Sequence, residues 1–203
     1  RVMSWRRIPE DTQPYILGSS PEEAVVDLVV WGDYQEPFSA ELDTKIRAIL
    51  QDANDVSYHF RHYPINEECN TATPSTKHEL ACLAHRAAEA AGRLGGNDAY
   101  WTMHVWLMEN QDDLSRATLR NQIIDMGFEP EPFFAEMDSA VVDAAINEDA
   151  AAAKRVGLRS IPFFWINMKR VPRWRLEGVN VPEMLVDLAR ERQQSGESTA
   201  PAN

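Results

Sequence analysis

The side chains best placed to do chemistry in this 203-residue chain lie in one short acidic turn. It reads Asp33-Tyr34-Gln35-Glu36-Pro37-Phe38-Ser39. The Glu36 carboxylate could serve as a general base or as a recognition charge if its surroundings tune it. The structural alternative, which we favour, is that Glu36 caps the helix that follows while Ser39 faces inward or makes a local hydrogen bond.

A strand, a helix and a second strand must position this turn. The β-branched, nearly uncharged run Val25–Trp31 predicts a central strand that is buried on both faces. Apolar residues at helical spacing predict a helix from about Pro37 to Gln51, and proline is well tolerated in a first helical turn. Val56–His62 alternates and predicts another strand, which completes a parallel, right-handed βαβ unit.

The rest of the chain is predicted to be helical and then to return to strands. A loop over Asn66–Pro74 leads to helices, which are expected at about 76–94, 98–110, 114–126 and 131–155. Phe163–Met168 then predicts a strand, Arg170–Arg175 its hairpin partner and Val181–Arg192 a closing helix. This order predicts an α/β fold in which the helices are inserted as one block.

Composition excludes some classes of partner. The formal net charge of −12 argues against nucleic acid and against an anionic membrane surface, because both need a surplus of Lys and Arg. No apolar run is long enough to cross a bilayer. The chain starts at Arg1 without an initiator Met, so we expect it to be a piece of a longer protein, with a disordered tail at 194–203.

Three segments, taken together, resemble DsbA-like thioredoxin-fold proteins. Ile16-Leu17-Gly18 with the strand and turn up to Ser39 resembles the opening of that family. The segment from Tyr100-Trp101-Thr102-Met103-His104 to Gln111 resembles its aromatic-x-Met-His helix, and Val156–Asn167 resembles its Gly-x-x-x-(Thr/Val)-Pro segment. The resemblance implies one domain over 1–193, with a thioredoxin-like part at about 14–75 and 156–193 and a helical block at about 76–155.

The resemblance also marks what is missing. The family has Cys-Pro-x-Cys where this chain has Glu36-Pro37-Phe38-Ser39. Disulfide exchange needs a thiolate nucleophile and a resolving thiol, and neither a carboxylate nor a hydroxyl replaces them. In the family, the proline that matches Pro162 is cis, and it offers backbone groups to an extended peptide beside Ile161. The simpler alternative is that Pro162 only starts the following strand.

Cys69 and Cys82 are the only two cysteines. Their spacing suits neither a structural zinc site nor a Cys-x-x-Cys pair, so they form either one disulfide or two unrelated thiols. Their surroundings resemble DsbA-like domains fused to vitamin K epoxide reductase-type membrane proteins. The resemblance implies a second, structural disulfide. The alternative is that the pair has a redox role. A disulfide would place the chain in an extracytoplasmic compartment, such as the periplasm or cell envelope.

The five histidines predict no metal site. His104 lies among aromatic residues on a helix and is expected to be a satisfied, half-buried side chain. The other histidines are scattered along the sequence, at His59, His62, His78 and His85. No His pair with helical spacing and a carboxylate is present, and no phosphate-binding glycine loop stands out, so we expect no metal and no cofactor.

Three hypotheses about function follow. The preferred one is a DsbA-like domain that is redox-inactive at the usual site and binds a peptide or protein partner between Glu36–Ser39 and Ile161-Pro162. The second is an active enzyme on the same fold, either an oxidoreductase that uses other cysteines or a kappa-type glutathione transferase. The third is a scaffold that only orients its neighbours within a larger membrane-linked protein.

Overall fold

A five-stranded mixed sheet forms the framework of the fold in a computed structural model that describes residues 15–196. The strand order is β1-β3-β2-β4-β5. These strands are β1 (Leu17–Gly18), β2 (Val26–Gly32), β3 (Val56–His62), β4 (Phe163–Ile166) and β5 (Lys169–Val171). Strands β2 and β3 are parallel, whereas β1, β4 and β5 each pair antiparallel with a neighbour. The predicted parallel βαβ unit is therefore present.

Helices fill the interval between β3 and β4 and also close the chain. A small hairpin, β6 (Arg175–Leu176) with β7 (Val179–Asn180), precedes the last helix. The helices are α1 (Pro37–Asp52), α2 (Ala81–Glu109), α3 (Arg116–Asp125), α4 (Pro130–Met137), α5 (Ala140–Arg155) and α6 (Val181–Gln194). The predicted α/β class, with one inserted helical block, is confirmed.

Strand β2 is buried on both faces, as its apolar run predicts. Its residues alternate between two apolar clusters, because successive side chains of a strand point to opposite faces. Leu28 and Val30 belong to the larger cluster, with α1 and α2. Val29 and Trp31 belong to a smaller cluster with Ala152, Ala153 and Phe163. The small side chains of α5 allow that helix to approach the second face of the sheet closely.

Several predicted boundaries are wrong. Helix α2 begins at Ala81, not near 76. Its predicted division into two helices, at about 76–94 and 98–110, is present, because Gly96 has non-helical angles (φ 79°, ψ −165°) and two helical segments meet there at a kink. The predicted helix 131–155 is two helices, because Ser139 caps a new one at Ala140. The hairpin partner of β4 covers only Lys169–Val171.

The structure describes the chain up to residue 196, close to the end of the last helix. Residues 1–14 and 197–203 lie outside the described part, and this includes most of the predicted disordered tail at 194–203. Helix α6 reaches Gln194, two residues beyond its predicted end. Within residues 15–196 no helix is long and apolar enough to span a bilayer.

Candidate functional site

The acidic turn is closed by its own hydrogen bonds. Glu36 is the N-cap of α1, and its Oε2 accepts a hydrogen bond from the Ser39 backbone N–H at 2.6 Å. The Ser39 hydroxyl donates to the same oxygen at 3.0 Å and accepts from the Asp33 N–H at 3.3 Å. Ser39 is fully buried. Thus Glu36 caps the helix and Ser39 faces inward, as the structural alternative predicts.

Removing the cap should destabilise the fold modestly. We expect Glu36→Ala to lower the free energy of unfolding by about 1 kcal/mol, because the helix start loses its side-chain acceptor. Chemical denaturation measures this change. A suitable control is Glu148→Ala, since the Glu148 side chain is exposed on α5 and makes no hydrogen bond or ion pair within residues 15–196. Equal losses in the two variants would contradict the capping role.

The turn meets the loop before β4 at a small pocket. The Ile161–Pro162 peptide bond is cis. Phe38 is 46% exposed and lines, together with Pro162, a pocket of about 150 Å³. The other lining residues are Ser160, Ile161, Phe163, Arg170, Val171, Pro172, Trp174 and Arg175. The structure therefore brings Phe38 to Ile161 and Pro162, while Glu36 and Ser39 do not line this pocket.

Aromatic rings and guanidinium groups dominate this pocket. The Arg175 guanidinium carbon lies 4.5 Å from the centroid of the Phe38 ring, and its Nε is 3.2 Å from a Glu41 oxygen. Arg170 lies 5.0 Å from the Phe163 ring centroid. Such cation–π contacts hold the long side chains over the rings. No acidic residue lines the pocket, and Arg170 is its cation that makes no ion pair within residues 15–196, since Arg175 pairs with Glu41.

Asp33 ties the turn to the segment after β3. This buried carboxylate accepts hydrogen bonds from the Gln35 and Ile65 N–H groups at 2.8 and 2.7 Å. His78 Nδ1 lies 2.8 Å from the same carboxylate. Burial alone would raise the pKa of Asp33, but these bonds and the nearby His85 outweigh it and hold the pKa well below its usual range. The anion therefore fixes the backbone under the turn.

Buried histidines continue this polar network. His104 bonds Tyr34 through Nδ1 at 2.9 Å and Asp43 through Nε2 at 2.8 Å. His62 and His85 share a hydrogen bond of 2.8 Å between their Nδ1 atoms. His104 is satisfied, as predicted, but it is fully buried and not half-buried. The sequence did not predict this cluster, because nothing in a single sequence shows that residues so far apart along the chain are close in space. Within residues 15–196 no His, Cys, Asp or Glu cluster is suited to a metal ion.

The burial of His85 should make stability depend on pH. Burial lowers the pKa of His85 to about 4, and a contact to Asp33 at 3.8 Å, too long for a hydrogen bond, offsets only part of the effect. The unfolded chain, with an ordinary histidine pKa, binds more protons than the fold between the two values, so stability falls as the pH is lowered. We expect this group to remove about 2 kcal/mol between pH 6.5 and 5.

Urea unfolding of wild type and His85→Gln over this pH range measures the effect. The variant should lose the extra pH slope, whatever its absolute stability. His78 should not interfere, because its bond to Asp33 raises its pKa and its contribution is lost only above this range. A slope that His85→Gln leaves unchanged would refute the assignment.

Cys69 and Cys82 form a disulfide, with their Cα atoms 5.7 Å apart. The alternative of two free thiols is therefore wrong. Cys82 is the second residue of α2, but its partner lies 13 positions earlier and not one helical turn away, so the pair does not have the arrangement of a Cys-x-x-Cys site. Both cysteines are almost fully buried, so an attacking thiolate cannot reach them, and the bond joins the loop after β3 to α2.

Comparison with known proteins identifies the family. The model of the DSBA-like thioredoxin domain matches residues 27–188, which is most of the chain. The chain belongs to this family. Solved structures share its fold: the thiol-disulfide exchange protein α-DsbA2 from Wolbachia pipientis has a TM-score of 0.70 and 18% identity, covering 91% of this chain and 89% of that one. BdbD from Bacillus subtilis also has a TM-score of 0.70, with 19% identity and coverage of 89% and 94%. The predicted DsbA-like thioredoxin fold is thus confirmed.

The curated relatives are much longer than this DSBA-like chain. The Na(+)/H(+) antiporter NhaA 1 of Salinispora arenicola is 29% identical over 150 residues, which cover 74% of this chain and 21% of that protein. NhaA of Herminiimonas arsenicoxydans is 27% identical over 154 residues, with coverage of 74% and 22%. The chain therefore spans about a fifth of the length of these relatives.

Proposed function

We propose that this DSBA-like domain binds an extended peptide or a partner segment beside Ile161-Pro162 and performs no disulfide exchange at residues 36–39. The observation that carries the proposal is a division of roles within the turn. Phe38 is exposed and shares a pocket with Pro162, whereas Glu36 and Ser39 are bonded to each other. The turn would thus offer a contact surface at the place where DsbA-like proteins have the Cys-Pro-x-Cys motif.

The chemical part of the proposal rests on the atoms at the helix start. Exchange requires a sulfur anion to attack a disulfide sulfur and a second thiol to release the mixed disulfide. Glu36 and Ser39 supply only oxygen atoms, and the Glu36 carboxylate is engaged as a helix cap. The Cys69–Cys82 disulfide is no substitute, because both sulfur-bearing residues are buried.

The binding part rests on free backbone groups at Ile161 and on the aromatic and apolar lining of the pocket. Within residues 15–196 the Ile161 N–H and C=O make no backbone hydrogen bond, so both groups could pair with an extended chain. A cavity of about 150 Å³ could take one side chain, which would rest between Phe38, Pro162 and Trp174. Arg170 and Arg175 at its rim would favour a segment with a nearby carboxylate.

An extracytoplasmic location completes the proposal. A buried disulfide persists in oxidising compartments, and one similar solved structure is a periplasmic thioredoxin-like protein from Salmonella enterica serovar Typhimurium, with a TM-score of 0.63, 18% identity and coverage of 92% and 94%. The much longer antiporter relatives support a place within a longer, membrane-linked protein. Which membrane protein it joins, whether of the antiporter type or the vitamin K epoxide reductase type, stays a proposal.

A binding assay with an unfolded client tests the proposal. The probe is reduced, carboxamidomethylated lactalbumin, which is permanently unfolded and has no free thiol. We expect Phe38→Ala to weaken its binding by about tenfold, because an exposed aromatic anchor is lost. The matched control is Ile124→Ala, since Ile124 is similarly exposed, on α3. If wild type does not bind, or if both variants bind equally well, the peptide-binding role fails and the scaffold alternative takes its place.

A further inference from the structure

A second apolar surface extends along the edge of the sheet, away from the acidic turn. It is a groove of about 380 Å³ between β5, the β6–β7 hairpin and α6, and we call it the β5–α6 groove. Asn167, on its wall, bonds Asp27 near the start of β2, whereas the turn follows the end of that strand. Six residue steps along a strand separate these ends by about 20 Å. The groove therefore adjoins the pocket beside Pro162, with which it shares Arg170, Val171 and Pro172, and extends from there to the far end of the sheet.

The floor of the groove is an incompletely covered helix face. Met184, Leu185 and Leu188 follow one another at helical spacing along α6 and all line the groove. Met184 remains 47% exposed and Leu188 39%, and Leu176 of the hairpin is 50% exposed on the other side. Apolar side chains that are clustered in a concavity, instead of scattered singly, mark an interaction surface.

The rim of the groove carries positive charge only. Four exposed cations line it, namely Lys169, Arg170, Arg173 and Arg192, and no acidic residue does. None of these four makes an ion pair within the described residues, whereas Arg47, Arg86 and Arg190 each pair with carboxylates. In a chain of net charge −12, a local cluster of unpaired cations around an apolar floor is a complementary surface for an anion-bearing, apolar ligand.

We propose that the β5–α6 groove docks an acidic amphipathic helix of a partner protein. Apolar side chains of such a helix would pack between Leu176 and the Met184–Leu188 face, and its carboxylates would meet the basic rim. A second copy of the chain fits less well, because two bodies of charge −12 repel each other. A lipid surface also fits less well, because a flat bilayer does not fill a concave groove and an anionic one repels the chain as a whole.

Three synthetic helical peptides of about 18 residues test the proposal by fluorescence anisotropy. The first contains Glu, Ala and Leu, with Leu at helical spacing; the second has the same composition in scrambled order; the third has Lys in place of Glu. The first should bind the full chain about tenfold more tightly than either of the others, and its affinity should fall at high salt. Equal binding of the three peptides, or tighter binding of the lysine peptide, would overturn the proposal.

Variants locate the binding surface. Leu188→Glu and Arg173→Glu should each weaken binding of the acidic peptide by about tenfold. Lys154→Glu, which makes the same charge change at an exposed position on α5, should not. Arg173→Glu keeps the test valid if Leu188→Glu misfolds, since the Arg173 side chain is exposed. If Arg173→Glu and Lys154→Glu weakened binding of the acidic peptide equally, the effect would come from the net charge of the chain. That result would overturn the assignment of the peptide to the β5–α6 groove.

Two further measurements separate other occupants and the other site. Phosphatidylglycerol vesicles that bind the chain through Leu188, or a dimer that Leu188→Glu dissociates, would replace the peptide helix as occupant and overturn the proposal. Phe38→Ala should leave binding of the acidic peptide unchanged, so failure at the Pro162 pocket and failure at the β5–α6 groove remain distinguishable. Loss of acidic-peptide binding in Phe38→Ala would contradict a separate groove.

Discussion

Removing the disulfide should cost the fold about 3 kcal/mol. The bond joins Cys69 to Cys82 across 13 positions, and closing a loop of this size removes conformational entropy from the unfolded chain by roughly that amount. We therefore expect the double substitution Cys69→Ala/Cys82→Ala to lower the melting temperature by about 6–12 °C. Calorimetry or circular dichroism measures the change.

Reduction provides the matched control. Wild type that is unfolded, reduced with dithiothreitol and refolded in the reductant should be destabilised by a similar amount, because the same loop is then open. The same treatment should leave the melting temperature of the double variant unchanged. A wild type that melts at the same temperature with and without reductant, after free-thiol counting has shown full reduction, would contradict a stabilising role for the bond.

The largest gain of disulfide-reductase activity should come from introducing two cysteines into the turn. We expect Glu36→Cys/Ser39→Cys to reduce insulin in the presence of dithiothreitol at least about tenfold faster than wild type. The first position is partly exposed at the N-cap of α1, where the helix dipole stabilises a thiolate, and the second is buried one turn on, where a resolving thiol is protected. Pro162 is already in place beside Phe38.

Single substitutions separate capture from turnover. Glu36→Cys alone should form a mixed disulfide with the client but should not release it, since Ser39 supplies no resolving thiol. Ser39→Cys alone should do neither, because the thiol that it introduces is buried. A double variant that is folded, carries two free thiols after reduction and still shows no turnover would place the loss of activity elsewhere in the fold.

Local patterns made the framework of the fold predictable. The run Val25–Trp31 contains one charged residue, Asp27, and is otherwise apolar. A strand that is apolar at both odd and even positions is expected to be buried on both faces. Pro37 marked the start of α1 because proline fits only a first turn. The order of the segments, together with the resemblance in three of them, was enough for the DsbA-like fold.

Boundaries depended on long-range contacts and were predicted less well. The break at Gly96 was predictable from the glycine, whereas the start of α2 at Ala81 was not. Strand β1 has two residues and exists through its pairing with β3, which its own sequence does not indicate. The division of the domain into parts at about 14–75, 76–155 and 156–193 stays a prediction.

The sequence indicated candidate site residues but not the buried side chains that hold them. The sequence pointed to Glu36–Ser39 and to Ile161-Pro162, and the structure places Phe38 beside Pro162. The buried partners of the turn, above all the Asp33–His78 contact and the His62–His85 pair, join residues from separate elements. Only the fold brings such side chains together, so no local pattern could have revealed them.

One measurement tests the account most directly: insulin reduction by the unaltered chain, with client binding followed in the same samples. The account predicts turnover no faster than dithiothreitol alone, together with saturable binding of unfolded client that Phe38→Ala weakens. Catalysed turnover by the unaltered chain would contradict it, because the exchange would then have to run through Cys69 and Cys82, the two cysteines of the chain.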